Sequence, residues 1–194
     1  RKAYGGGYIA MCAKDLGGIV LDQGQRRWRR RVNPTLSGAT LGILGLGAIG
    51  SEIARVATLL GMRVIGTKRE PTPIPHVARV DPPAETTRVL AESDYVLLLL
   101  PSTTETKGLI DKAALGRMKP GAFLLNFGRG ALLVDADLIA AVTERRIAGA
   151  VLDVYRTEPL PAEHAFWTTP GIVVLPHVGG LHPNRDSLVA ALWV

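Results

Sequence analysis

A single cysteine, Cys12, leaves this chain no internal disulfide and fits a reducing compartment. Long apolar runs are also missing. Runs such as Val96 to Leu100 have the length of a strand, and none approaches the roughly 18 to 20 residues that cross a bilayer. No secretory apolar core stands near the start and no lipidation signal near the end. The expectation is a soluble, cytoplasmic protein with no membrane partner. Net charge is +6, much of it in one run, Arg26-Arg27-Trp28-Arg29-Arg30-Arg31. Such runs are most often solvated faces. With no second basic stripe and no interleaved aromatic series, nucleic acid is not an expected partner.

What the chain does have is a regular alternation. Its 194 residues suffice for one domain with a full hydrophobic core. Tyr8 to Leu21 reads as a helix, and Arg26 to Ser37 as a polar connector with a turn signal at Asn33-Pro34. Then come a buried strand at Thr40 to Leu44, a helix at Ser51 to Leu60 with apolar positions 53, 56, 57 and 60, and a strand at Arg63 to Gly66. Pro71, Pro73 and Pro75 forbid a regular helix. A helix around Glu85 to Glu92 precedes a strand at Tyr95 to Leu100. A helix around Lys112 to Met118, a strand at Ala122 to Asn126 and a helix at Asp135 to Arg145 follow. Strands at Gly149 to Val154 and Ile172 to Leu175 complete the series. Buried, β-branched strands alternating with helices predict an α/β fold: a Rossmann-type, doubly wound parallel sheet with helices on both faces.

Gly45-Leu46-Gly47-Ala48-Ile49-Gly50 has the form G-x-G-x-x-G. The bare pattern is weak. Here it follows a strand directly and opens a helix, which is the context that gives it meaning. Gly45 permits the tight turn, Gly47 lets the backbone approach a pyrophosphate, and Gly50 lets helix and strand pack closely. The helix start offers free N–H groups to the phosphates. An NAD site carries an acid at the end of the second strand, about 20 residues on, to accept from the ribose 2′-OH. Here Thr67, Lys68 and Arg69 stand there, and Glu70 is the nearest carboxylate. Two cations suit a 2′-phosphate, so NADP(H) is favoured and NAD(H) is the alternative.

Three further segments carry a resemblance. They are Asn126-Phe127-Gly128-Arg129-Gly130, the stretch from Leu152-Asp153-Val154 to Glu158-Pro159, and Leu175-Pro176-His177. With the fingerprint, and with the segment Leu100-Pro101-Ser102-Thr103-Thr104-Glu105-Thr106, the chain from about Leu36 to Val194 resembles the D-isomer-specific 2-hydroxyacid dehydrogenases. That group includes glyoxylate/hydroxypyruvate reductases, D-lactate and phosphoglycerate dehydrogenases, and dinucleotide-sensing corepressors. The resemblance implies a catalytic set of Arg129, Glu158 and His177. Reduction of a 2-keto acid needs a hydride at carbon and a proton at oxygen. His177 is the implied proton donor. Glu158 is the carboxylate that favours its imidazolium form and raises its pKa. Arg129 offers a planar fork to the substrate carboxylate and carbonyl. The implied cofactor contacts, besides the glycine turn and Thr67 to Arg69, are Leu100, Pro101, Thr106, Asn126, Phe127, Gly128, Asp153, His177 and Gly179. Asp153 is also readable as a turn cap. No metal is expected.

Phe127-Gly128 is an unusual pair before the arginine, and Val178-Gly179-Gly180-Leu181-His182 is not the commonest loop after the histidine. His76, His164 and His182 carry no comparable context, although His182 lies near His177 in sequence. Family members are longer and have two domains. Against that pattern, residues 1–36 read as interdomain helix and basic linker, 37–178 as the dinucleotide-binding domain, and 179–194 as the start of a returning C-terminal helix. The N-terminal half of the substrate domain is then absent, and this piece alone is expected to turn over weakly. The resemblance also implies a homodimer and a small 2-keto or 2-hydroxy acid substrate. A corepressor-like, dinucleotide-sensing binding module of the same fold stays open as the alternative. Formate dehydrogenase fits less well, because a carboxylate partner for His177 suits proton transfer, which formate oxidation does not need.

Overall fold

The computed structural model describes residues 22–30 and 35–180. Its strands are β1 (Thr40–Leu44), β2 (Arg63–Thr67), β3 (Arg79–Asp81), β4 (Tyr95–Leu98), β5 (Phe123–Asn126), β6 (Gly149–Leu152) and β7 (Ile172–Val174). The helices between them are α1 (Ala48–Leu59), α2 (Thr86–Glu92), α3 (Lys112–Arg117) and α4 (Asp135–Thr143). The strands form one sheet in the order β3-β2-β1-β4-β5-β6-β7, parallel at every pairing. The chain runs outward from β1 to β3, then returns to lay β4 on the other side of β1. Beyond the strand ends this reversal leaves a crevice between β1 and β4, the usual ligand position in open α/β sheets.

Helices cover both faces, as the alternation predicts. Successive strand residues point to opposite sides. Leu41 and Ile43 of β1 pack with Ile53, Ala54 and Ala57 of α1 on one face. Leu44, Val96, Leu98 and Leu124 pack with Val89 and Leu90 of α2, Leu115 of α3 and Leu138 of α4 on the other. Burying each such Leu, Ile or Val contributes about 1.5–3 kcal/mol, so both faces are needed to hold the sheet.

Several boundaries differ from the sequence reading, each for a local reason. α1 begins at Ala48, three residues before the expected Ser51, because the helix starts directly after its N-cap Gly47. Its buried residues are Gly50, Ile53, Ala54 and Ala57, while Leu60 lies past the helix end and is exposed. β4 and β6 stop at Leu98 and Leu152 rather than at Leu100 and Val154. Leu99 and Leu100 turn away to line the crevice, and the Asp153 carboxylate turns to hold a neighbouring loop. α4 ends at Thr143, and Arg145 leaves it with φ of 56°. β3 is not among the expected strands. It has three residues, Arg-Val-Asp, with no apolar run to announce it. The expected helix at 8–21, Cys12, the Asn33-Pro34 turn, and the chain from 181 on, His182 included, lie outside the described residues.

Charge holds β3 in place. Arg79 Nε donates to Asp81 Oδ2 at 2.6 Å and its Nη1 to Glu92 Oε2 at 3.0 Å, so the edge strand is tied to the end of α2. Arg63 and Arg88 reach the same Glu92 carboxylate at 3.3 Å. These hydrogen bonds, that from Arg79 foremost, push the Glu92 carboxyl from an ordinary 4.5 down to about 2. A carboxyl lowered in the folded state stabilises it above the unfolded pKa, and the contribution fades as pH falls through the folded value. Glu92→Gln is therefore less stable than the parent chain at pH 7, and the difference closes between about pH 4.5 and 2. Urea midpoints of the two proteins across that range check it. A difference constant with pH would show that the glutamate acts through packing instead of charge.

Candidate active site

The crevice at the carboxyl ends of β1, β2 and β4 has a volume of about 960 Å³. Gly45 through Gly50, Thr67, Lys68, Arg69, Leu100, Pro101 and Thr106 all line it. The glycine turn has the form its pattern requires. Gly45 has φ of +109°, a conformation L side chains rarely adopt. A Cβ on Gly50 would lie 2.6 Å from the Gly45 carbonyl oxygen, whereas one on Gly47 would meet nothing within 4 Å. Close packing explains the third glycine, and open space facing the crevice explains the second. α1 has no side-chain cap and no acid in its first turn. Its first amides are left for an anion. The cradle fits a dinucleotide diphosphate.

At the tip of β2, Thr67 is buried, Lys68 is partly exposed and Arg69 is exposed. Lys68 Nζ donates to Thr72 Oγ1 at 3.0 Å, which fixes its direction. Glu70 does not line the crevice, so β2 brings two cations and no carboxylate to it. The sequence reading missed Pro83, Thr86, Leu99, Thr103, Glu105 and Leu109 in the lining. Thr103 and Glu105 sit in the quoted segment after β4, and that proximity was the available signal. A hydrogen bond from the Thr103 hydroxyl holds the Glu105 carboxyl below its ordinary value, and the Arg69 charge adds to this. Thr106 lines the wall but serves the loop first. Its hydroxyl donates to Pro101 O at 2.7 Å and accepts from the Thr103 amide at 2.8 Å.

The remaining candidates gather further along the same sheet edge, at the ends of β5, β6 and β7. The two groups are continuous, because a Cβ on Gly128 would lie 2.8 Å from the carbonyl oxygen of the crevice residue Leu100. His177 and Glu158, nineteen residues apart, meet with Nδ1 2.7 Å from Oε2. The other Glu158 oxygen accepts from the Tyr155 amide at 2.9 Å. Burial pushes the Glu158 carboxyl up, but the hydrogen bonds from His177 and Tyr155 and the charges of His177 and Arg129 outweigh it and hold the group below its ordinary value. Arg129 is exposed, and one of its guanidinium nitrogens, Nη1, donates back to Gly128 O at 2.7 Å. The rest of its five-donor fork faces no acceptor among the described residues.

Two of the residues expected to contact the cofactor hold loops. Asn126 is fully buried; its Nδ2 donates to Arg129 O at 3.0 Å and its Oδ1 accepts from the Gly128 amide at 3.1 Å. Asp153, 3% exposed, accepts the amides of Val178 at 2.8 Å and Gly179 at 2.9 Å, one on each oxygen. Asp153 thus caps the turn after His177. His177 itself has φ of 53°. A non-glycine residue there costs about 1–3 kcal/mol and persists only where its surroundings dictate it. Tyr155, also missed, holds the upstream side. Its hydroxyl donates to Leu152 O at 2.7 Å or Leu175 O at 2.9 Å, and accepts from the Leu175 amide at 3.1 Å. Burial drives that hydroxyl well above the ordinary tyrosine range. Gly130 was quoted without a role; a Cβ there would strike the backbone of Tyr155 and Arg156. That close approach draws the arginine loop against the glutamate loop. Among the described residues, no group of three His, Cys, Asp or Glu side chains could hold a metal ion, and no helix is long and apolar enough to cross a membrane.

A sequence profile described as "D-isomer specific 2-hydroxyacid dehydrogenase, NAD binding domain" matches residues 7–179. The chain belongs to the D-isomer specific 2-hydroxyacid dehydrogenase family. Its curated relatives in this family include glyoxylate/hydroxypyruvate reductase A of Photorhabdus laumondii, 37% identical over 161 residues, which are 83% of this chain and 51% of that protein. Glyoxylate/hydroxypyruvate reductase B of Pectobacterium carotovorum is 38% identical over 168 residues, 79% of this chain and 51% of that protein. The chain thus spans about half the length of the curated relatives it matches. Among solved 2-hydroxyacid dehydrogenase structures, the Rhizobium etli protein in complex with NADP, HEPES and L(+)-tartaric acid superposes with a TM-score of 0.87 at 27% identity, covering 98% of this chain and 62% of that one. The NADPH-dependent glyoxylate/hydroxypyruvate reductase of Sinorhizobium meliloti, with NADP and sulfate, gives 0.83 at 28% identity, covering 94% and 59%.

Removing the Tyr155 hydroxyl should uncouple the ends of β6 and β7. Tyr155→Phe is expected to lose about 1–3 kcal/mol, because the Leu175 backbone keeps only part of its hydrogen bonding. Chemical denaturation measures the loss, and a midpoint unchanged by the substitution would remove the hydroxyl from this account.

Proposed function

We propose that this domain works in an NADPH-preferring reductase of small 2-keto acids, running reversibly as a D-2-hydroxyacid dehydrogenase. The relatives' names make glyoxylate and hydroxypyruvate the first substrates to try. One observation carries the reading: an imidazole and a carboxylate paired at 2.7 Å, beside an arginine, on the sheet edge that also holds a dinucleotide cradle.

Bound NADPH supplies the hydride. The chain's own groups manage charge and proton. Glu158 holds Nδ1 of His177, which leaves Nε2 with no partner among the described residues and free to give a proton to the keto oxygen. The Glu158 carboxylate stabilises the positive charge of the protonated ring, which the ring regains when the alcohol is oxidised. Arg129 binds the substrate carboxylate through the fork its Gly128 contact leaves free, and it draws electron density from the carbonyl. Lys68 and Arg69 receive the 2′-phosphate that distinguishes NADPH from NADH.

The complete polypeptide that contains this domain is the protein to assay, with glyoxylate, hydroxypyruvate, pyruvate and phenylpyruvate against both cofactors. His177→Gln is expected to lower kcat about 10²- to 10⁴-fold, the usual share of a positioned acid. Turnover that survives the substitution intact would sink the proton-donor role. Lys68→Ala with Arg69→Ala is expected to lower the NADPH to NADH ratio of kcat/KM about tenfold or more, since one factor of ten is 1.4 kcal/mol and two cations are lost. A parent enzyme that strongly prefers NADH would overturn the cofactor assignment and leave the chemistry standing.

A further inference from the structure

His177 adopts a left-handed backbone conformation, and its turn is gripped at Val178 and Gly179 by Asp153. A close packing contact joins these hydrogen bonds. Gly179 is buried, and a Cβ placed on it would be squeezed between Asp153 Oδ2 at 2.7 Å and the Phe127 ring, whose Cδ1 lies at 2.8 Å and Cε1 at 3.2 Å. The ring is itself anchored. It packs against the core cluster beneath β5 and β6, and the Phe127 amide donates to Leu98 O at 3.2 Å.

We propose that Phe127 is a positioning residue for His177: its ring and the bare Cα of Gly179 form a size-matched pair that fixes the turn carrying the imidazole. Phe127 takes no part in proton transfer. It acts through Gly179, two residues beyond His177 and on the far side of the Asp153 grip. The ring closes one side of Gly179 and Asp153 Oδ2 the other, so a side chain at 179 fits only by shifting into space that a smaller residue at 127 would open. The proposal extends the reading of His177 as proton donor, but its test needs neither cofactor nor substrate.

The test uses Phe127→Ala, Gly179→Ala and the exchange variant Phe127→Val with Gly179→Ala, all in the same polypeptide as the activity assays. Two quantities are read by NMR: hydrogen exchange of the backbone amides at positions 178 and 179, and the ring resonance of His177. Unfolding midpoints are recorded beside them to separate local loosening from global loss. Phe127→Ala and Gly179→Ala are each expected to speed exchange at these amides about tenfold or more and to shift the His177 ring signal, while amides of β1 and β2 follow the global stability alone. In the double variant the methyl group added at position 179 can move off Asp153 into the space the ring vacated, so exchange and ring signal return toward the parent, closer than in Gly179→Ala. Exchange and ring signal unmoved by Phe127→Ala, or strictly additive effects in the double variant, would overturn the pairing. Unimpaired turnover in His177→Gln is a separate result: it removes the catalytic role of the imidazole and leaves the pairing as measured.

Discussion

Parallel pairing is the constraint on which the site depends. When every neighbouring pair in a seven-stranded sheet is parallel, all carboxyl ends fall on one edge. Groups that leave β1, β2, β4, β5, β6 and β7 then arrive on the same side without further design. Arg129, Glu158 and His177 are far apart in the chain and neighbours in space for this reason. The reversal of strand order beside β1 adds the crevice, and Gly128 against the Leu100 carbonyl joins the crevice to the cluster of Arg129, Glu158 and His177.

The framework was legible because its signals are periodic and local. Apolar runs of strand length, separated by helical patterns, leave little choice but a doubly wound sheet. A G-x-G-x-x-G between strand and helix names its own role. β3 was hidden because Arg79, Val80 and Asp81 form no run of hydrophobic residues; an ion-pair network with Glu92 holds the strand. The start of α1 reads three residues late in the sequence because glycines look like helix breakers, although one of them is its N-cap.

The candidate site was legible as a set of residues and illegible as a division of labour. The family resemblance placed Asn126 and Asp153 among the cofactor contacts. Their side-chain hydrogen bonds go to Gly128, Arg129, Val178 and Gly179, a loop-holding role the sequence did not announce. Nothing in a linear pattern tells which backbone amides a carboxylate will satisfy. Tyr155 escaped notice, and Gly130 was left without a role, for the same reason. One acts through a hydroxyl shared between two strand ends, the other through an approach too close for a Cβ.

Burial separates the two kinds of polar residue at this edge. Asn126 and Asp153 are at most 3% exposed and have every oxygen engaged by the backbone, whereas the His177 and Glu158 side chains are 52% and 36% exposed. A solvated pair of that kind contributes little to stability, about 0–1 kcal/mol. Holding His177 at positive φ costs as much or more. The folded state therefore does not owe its stability to the His177–Glu158 contact; buried groups around it sustain a strained turn that presents the contact. A geometry maintained at the expense of stability points to a constraint other than folding, since strained backbone persists only where the surrounding structure dictates it.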